Sequence, residues 1–220
     1  MNKIKYSFIK DGEEFTFMDI EGSNTVPYVW NEFLNDFYGL EKISLSKDDL
    51  VIDIGANVGI FSIYVKKKFG CRVISFEPVI DNFNSFKENI ILNGLSLDDF
   101  ELHNTAITNV EGGIINICTP IGNSGGSSIY EVGNCYECKT EKIDKYINGC
   151  VYFKIDCEGG EYDIIPDIID EVKNMKYIGI EYHQYNYNQY PIQLDKKIKD
   201  NFNGQIFSNI EDPNAIWNIK

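Results

Sequence analysis

Residues 51–62, Val-Ile-Asp-Ile-Gly-Ala-Asn-Val-Gly-Ile-Phe-Ser, constrain the fold of this chain more than any other segment. A short apolar run meets two glycines, and apolar residues resume behind them as a helix would place them. The segment predicts a buried strand, a tight turn and the first turn of a helix. Gly55 and Gly59 let the backbone pass close to a ligand, at a helix N-terminus and the carboxyl edge of a sheet. Asp53 stands at the strand's end, so the pattern is Asp-x-Gly-x-x-x-Gly rather than the Gly-x-Gly-x-x-Gly of dinucleotide-binding turns. A pyrophosphate calls for glycine amides and a positive helix end. A ligand with a cationic centre tolerates a carboxylate there.

From residue 49 onward strands and helices alternate. Leu50–Ile54 leads to a helix over Ile60–Phe69, and Arg72–Phe76 to a helix over 81–93. Phe100–His103 is a further short strand, and strands at 114–118 and 136–139 flank a loop of Gly and Ser. A strand at 151–155, a helix at 162–172, a strand at 177–181, a helix at 192–201 and strands at 205–208 and 215–219 complete the order. Repeated βα units with apolar strands predict an α/β, Rossmann-like fold, with a mostly parallel sheet covered on both faces. Residues 1–46 differ in texture. They predict a β-hairpin turning at Asp11-Gly12, then a helix over 29–38 with Trp30, Phe33, Leu34 and Phe37 on one face. The expected organisation is an N-terminal extension over 1–46 and a main unit over 47–220, forming one compact body.

With 220 residues the chain can bury a full core, and its net charge of −14 argues against nucleic acid or an anionic membrane as partner. No apolar run is long enough to span a bilayer and the polar start is no signal peptide, so a cytoplasmic location is expected. Six cysteines are present, but Cys135-x-x-Cys138 lacks a second pair to complete a zinc site. Without a secretion signal, all six are expected as reduced thiols.

Three clusters carry chemistry. Glu77-Pro78 ends the second parallel strand beside the glycine turn, where a carboxylate can accept hydrogen bonds from ribose hydroxyls. Asp156-Cys157-Glu158-Gly159-Gly160-Glu161 follows a buried strand, and carboxylates crowded at such an edge mark a surface or a functional site. Glu161 also fits as a first-turn helix acid. Glu181-Tyr182-His183 ends another apolar strand, and His183 can exchange a proton near neutral pH. His103 follows a strand without acidic neighbours and reads as structural.

Asp53-Ile54-Gly55-Ala56-Asn57-Val58-Gly59, Phe76-Glu77-Pro78, Lys154 to Glu161 and Glu181-Tyr182-His183, in this order and spacing, resemble the FkbM family of class I adenosylmethionine-dependent methyltransferases. Cys157 and Gly160 depart from the residues commonest there. The resemblance implies adenosylmethionine as cofactor, adenosylhomocysteine as product, and O-methylation of a hydroxyl on a sugar, glycolipid or natural product. It implies cofactor roles for Asp53, Gly55, Ala56, Asn57, Gly59, Glu77, Pro78, Thr105, Ala106 and Asp156, with the Gly/Ser loop 123–128 near the cofactor or acceptor. Asp156 or His183 is expected to take the acceptor's proton, with Glu158 and Glu161 orienting the site. No metal is required, although a divalent ion held by Asp156, Glu158 and His183 competes for the same residues. A nicotinamide-dependent oxidoreductase shares the fold class but should carry Gly-x-Gly-x-x-Gly. A non-catalytic relative should have lost the glycines or Glu77.

Overall fold

The computed structural model describes residues 2–185 and 189–210. The chain begins with a hairpin, β1 (Lys3–Lys10) and β2 (Glu13–Ile20), followed by α1 (Thr25–Leu34). The alternating part runs β3 (Leu50–Ile54), α2 (Ile60–Phe69), β4 (Arg72–Phe76), α3 (Ile80–Leu92) and β5 (Phe100–His103). A small sheet follows from β6 (Ala106–Ile107), β7 (Ile114–Thr119) and β8 (Asn134–Glu141). The last elements are β9 (Cys150–Ile155), α4 (Glu161–Asp167), β10 (Tyr177–Tyr182), α5 (Pro191–Asn201) and β11 (Gln205–Ile210).

Six strands form one sheet in the order β11-β10-β9-β3-β4-β5, and every neighbouring pair is parallel. The chain moves outward from β3 through β4 to β5, then restarts beside β3 with β9 and moves the other way. The reversal leaves a crevice outside the carboxyl ends of β3 and β9, where ligands lie in open α/β sheets. The central strands are apolar on both faces because both are covered. One layer of the core contains Val51, Phe61, Tyr64, Phe86 and Tyr152, and the other Ile52, Ile54, Phe153, Ile164 and Ile180.

The hairpin and α1 pack into the first layer, where Phe15, Phe17, Trp30 and Phe33 join the α2 side of the sheet. Two amides on α3 hold β2 in place. Asn89 accepts from the Met18 N–H at 2.7 Å and donates to the Met18 carbonyl at 3.2 Å. Asn93 accepts from the Thr16 N–H at 3.0 Å and donates to its carbonyl at 2.6 Å. Residues four apart on a helix share a face, and residues two apart on a strand share an edge. The two asparagines therefore bond β2 as a neighbouring strand would. Asn89 also donates to the Val58 carbonyl at 2.8 Å, tying the hairpin to the glycine turn.

Four expectations need correction. α1 starts at Thr25 and ends at Leu34, because Pro27 is harmless in a first turn and the chain turns at Asp36, which has a left-handed φ of 53°. Leu34 is consequently 57% exposed, while Trp30 and Phe33 are buried as expected. α4 stops at Asp167, because Pro166 lies inside it and removes a helix hydrogen bond. The cysteines are not all reduced: Cys118 and Cys135 form a disulfide between directly opposed residues of β7 and β8, with Cα atoms 4.0 Å apart. Cys135 and Cys138 lie three apart on one strand and so face opposite sides of it, which rules out a shared metal. The strand expected at 215–219 lies outside the described residues.

No described helix is long and apolar enough to cross a membrane. Asn89→Ala would leave the Met18 amide and the Met18 and Val58 carbonyls without their amide partner. Urea denaturation should show a loss of about 2–3 kcal/mol, and a loss within error of zero would mean that water replaces the asparagine at no cost.

Candidate active site

The turn after β3 passes through the left-handed region at Gly55, Asn57 and Gly59. Gly55 has φ 78°, and a Cβ there would lie 1.8 Å from the Asp156 carbonyl oxygen. The turn and the end of β9 are in direct contact. The Asp156 N–H donates to the Ile54 carbonyl at 3.1 Å, so the β3–β9 ladder continues into the two functional loops. Gly59 caps α2 at φ 88° with its Cα against the Phe86 ring, a packing role outside the cavity wall.

Lys154 sits under this junction. It is 3% exposed, donates to the Gly55 carbonyl at 2.9 Å, and places Nζ 2.9 Å from Asp53 Oδ1 and 3.5 Å from Asp156 Oδ2. Burial works against its charge, but the two aspartates outweigh burial and raise its pKa. Asp53 is fully buried, accepts from the Ser62 hydroxyl at 2.6 Å, and lies behind the turn rather than on the cavity wall. Lys154 bridges it to the Gly55 carbonyl at the turn. The role of Lys154 cannot be read from the linear sequence, since the lysine becomes meaningful only once β9 lies beside β3.

A cavity of about 510 Å³ opens at the crevice. One wall carries Gly55, Asn57, Glu77, Pro78, Asn82, Thr105 and Ala106. Glu77 is 5% exposed and accepts from the Asn57 and Val79 N–H groups, each at 2.8 Å. Burial raises its pKa to about 7 against the pull of those two amides. Ala56 is buried in the turn, off the wall, and Thr105 donates its hydroxyl to the Lys139 carbonyl at 2.8 Å. The Gly/Ser loop closes over this wall. The Ser124 carbonyl accepts from Asn57 at 2.8 Å and from Asn82 at 3.0 Å, and the Ser124 hydroxyl donates to Asp19 at 2.8 Å.

The opposite wall carries Asp156, Glu158, Glu181 and His183. Asp156 accepts from the buried Tyr38 hydroxyl at 2.9 Å. Glu158 has a left-handed φ of 53° and accepts from the Tyr185 hydroxyl. Burial pushes its pKa up to about 7, against the attraction of His183, and burial with the field of Asp156 pushes Glu181 to about 9. Glu161 is fully buried beneath this wall. It accepts from the Cys157 N–H at 3.1 Å and the Gly159 N–H at 3.0 Å, and its Oε1 lies 3.1 Å from His183 Nδ1. Its role thus exceeds that of a first-turn helix acid. Burial opposes a charge on His183, but the hydrogen bond to Glu161 and the fields of Glu158 and Glu161 outweigh it and raise its pKa. His103 stacks on Phe76 at a centroid distance of 4.9 Å, away from the cavity.

A model of the methyltransferase FkbM domain matches residues 53–212. The chain belongs to that family. The FkbM match takes in the glycine turn and both cavity walls. Over shorter stretches the chain is similar to the AMB antimetabolite synthetase AmbE of Pseudomonas aeruginosa, with 32% identity covering 37% of this chain and 4% of that protein. Methyltransferase 1 of Beauveria bassiana is 34% identical over 22% of this chain and 20% of its own length. Methyltransferase sdnD of Sordaria araneosa is 28% identical over 30% of this chain and 26% of its own length. The chain thus spans a small part of each of these relatives.

Tyr38 and Asn82 went unnoticed in the sequence. Tyr38 is 118 residues from Asp156 and has no local signal. Asn82 lies in the first turn of α3, and nothing local in the sequence marks it. Lys154→Met removes the counter-ion of two carboxylates at the junction. Denaturation should show a loss of about 3–5 kcal/mol, and a loss below about 1 kcal/mol would mean that solvent already screens the pair.

Proposed function

We propose that the chain is an adenosylmethionine-dependent methyltransferase acting on a hydroxyl of a sugar, glycolipid or natural product. The observation that carries this reading is one cavity joining a nucleoside-type wall to a carboxylate wall at the β3/β9 crevice. The cofactor fits residues the fold leaves unsatisfied. Asn57 Oδ1 and Asn82 Oδ1 are buried acceptors without a hydrogen-bond partner among the described residues, and a nucleoside brings donors. Each Glu77 oxygen holds one backbone N–H and keeps further acceptor capacity for ribose hydroxyls. The carboxylate wall suits a cationic sulfonium, whereas a pyrophosphate would be repelled by it.

Adenosylmethionine supplies an activated methyl group, so the chain's own task is to hold, orient and desolvate the reactants and to take one proton. Orientation is the larger share, roughly 7–11 kcal/mol against about a hundredfold to ten-thousandfold from a base. Lys154 and Tyr38 hold Asp156 at the turn, which supports Asp156, with His183 as the alternative, as the group that takes the acceptor's proton. Glu161 holds His183 through Nδ1, so the imidazole orients the wall. Tyr130 and Tyr185 stack at 5.2 Å behind the cavity lining, and the Tyr185 hydroxyl holds Glu158, which presents a hydrogen-bonding carboxylate to an acceptor hydroxyl.

Calorimetry should find micromolar binding of adenosylmethionine and adenosylhomocysteine and none of NADH; the reverse result would reinstate the oxidoreductase reading. A panel of hydroxylated acceptors, assayed for adenosylhomocysteine release, then identifies the substrate. Glu77 gives the binding a pH dependence. Its carboxyl titrates at about 7 in the folded chain against an ordinary 4.5, so the folded state keeps a proton that the unfolded chain has released. In the free protein its contribution to stability is complete below the ordinary value and is lost as pH rises through about 7. Ribose hydroxyls need the ionised form, so cofactor affinity runs the other way and should weaken roughly tenfold from about pH 8 to about pH 6. In Glu77→Gln binding should be weak and flat with pH; an unchanged slope would assign the titration to another group.

A further inference from the structure

We propose that Asp156, Glu158 and His183 form a binding site for a divalent first-row metal ion on the acceptor side of the cavity. One oxygen from each carboxylate and one ring nitrogen of His183 all lie within 4.8 Å of one another. Ligands of a single ion with bonds of about 2.1 Å stand roughly 3.0 Å apart when adjacent and 4.2 Å apart when opposite. His183 Nε2 and Glu158 Oε2, at 3.6 Å, fall inside that window, and the Asp156 ligand atom lies within 4.8 Å of the other two.

The imidazole supplies the decisive observation. His183 is 4% exposed, and its Nδ1 is engaged by the fully buried Glu161. Its Nε2 makes no hydrogen bond among the described residues and points at a carboxylate oxygen. A histidine that donates one ring N–H to a buried carboxylate and turns the other nitrogen toward further carboxylates has the outer-shell arrangement of a metal ligand. The carboxylate ligands are supported in the same way, Asp156 by Tyr38 and Glu158 by Tyr185. Two carboxylates with one imidazole suit Mn²⁺ or Zn²⁺ better than Ca²⁺, which takes oxygen alone. All three ligands line the open cavity, so the ion would keep coordination positions for oxygen groups of an acceptor.

The site stands on this geometry. Its service to the acceptor, orienting a hydroxyl and making it more acidic so that no strong base is required, rests on the methyl-transfer reading. The experiment separates the two. The full chain is stripped with EDTA and titrated with Mn²⁺ and separately with Zn²⁺, without cofactor or acceptor, and the Mn²⁺ form is examined for histidine-nitrogen coupling by pulsed electron paramagnetic resonance. One ion per chain with nitrogen coupling is expected, weakened at least tenfold in Glu158→Gln and His183→Ala and by about 10- to 100-fold in Glu161→Gln. Absence of stoichiometric binding, or Mn²⁺ bound without nitrogen coupling in the unsubstituted chain, overturns the site even if a variant fails to fold. Adenosylmethionine binding to the stripped protein, measured in parallel, tests the methyl-transfer reading independently.

Discussion

The contact between the glycine turn and the end of β9 is the constraint on which the site depends. At Gly55 the two backbones are so close that a methyl group would overlap the Asp156 carbonyl. Such closeness brings the glycine turn and an acidic cluster from opposite halves of the chain to one edge. It also buries Asp53 and Lys154 together, with Asp156 joining them from the cavity wall. A buried ion pair of this kind contributes little net stability over an apolar replacement, but losing one partner is expensive. Without Lys154 the two aspartates would lose the cation they share.

Two networks then set the shape of the cavity. Glu77, Asn57, Asn82 and Ser124 join the wall beside the glycine turn to the loop above it. Glu161, His183, Glu158 and Tyr185 form the other wall in layers, from a fully buried carboxylate outward to a tyrosine pair. In both networks the groups that face the cavity are oriented by buried ones behind them, the arrangement by which a site keeps its geometry when solvent is expelled.

The central sheet was legible because its strands are short, apolar and separated by glycines, so Leu50–Ile54, Ile60–Phe69 and Arg72–Phe76 have the bounds expected. The edges of other elements were less so. Pro27 and Pro166 moved the limits of two helices, effects that depend on how far into a helix each proline falls. Asp156, Glu158 and His183 stood out because carboxylates and a histidine at strand ends are conspicuous in a linear sequence. Lys154, Tyr38 and the Cys118–Cys135 bond were hidden, since each acquires its role from a partner brought close only by the fold.

The asparagine pair on α3 has a further consequence, for how this chain meets other copies of itself. A two-stranded hairpin offers two unpaired edges, and an unpaired edge invites another strand. Asn89 and Asn93 occupy the main-chain groups of β2 at Met18 and Thr16, so that edge is closed by side chains. The remaining edge belongs to β1, which carries Lys3, Lys5 and Lys10. Lys3 and Lys10 are paired with Glu88 and Glu41, which leaves the exposed Lys5 as the charge that makes this edge a poor match for another strand, so the two edges are guarded by different means.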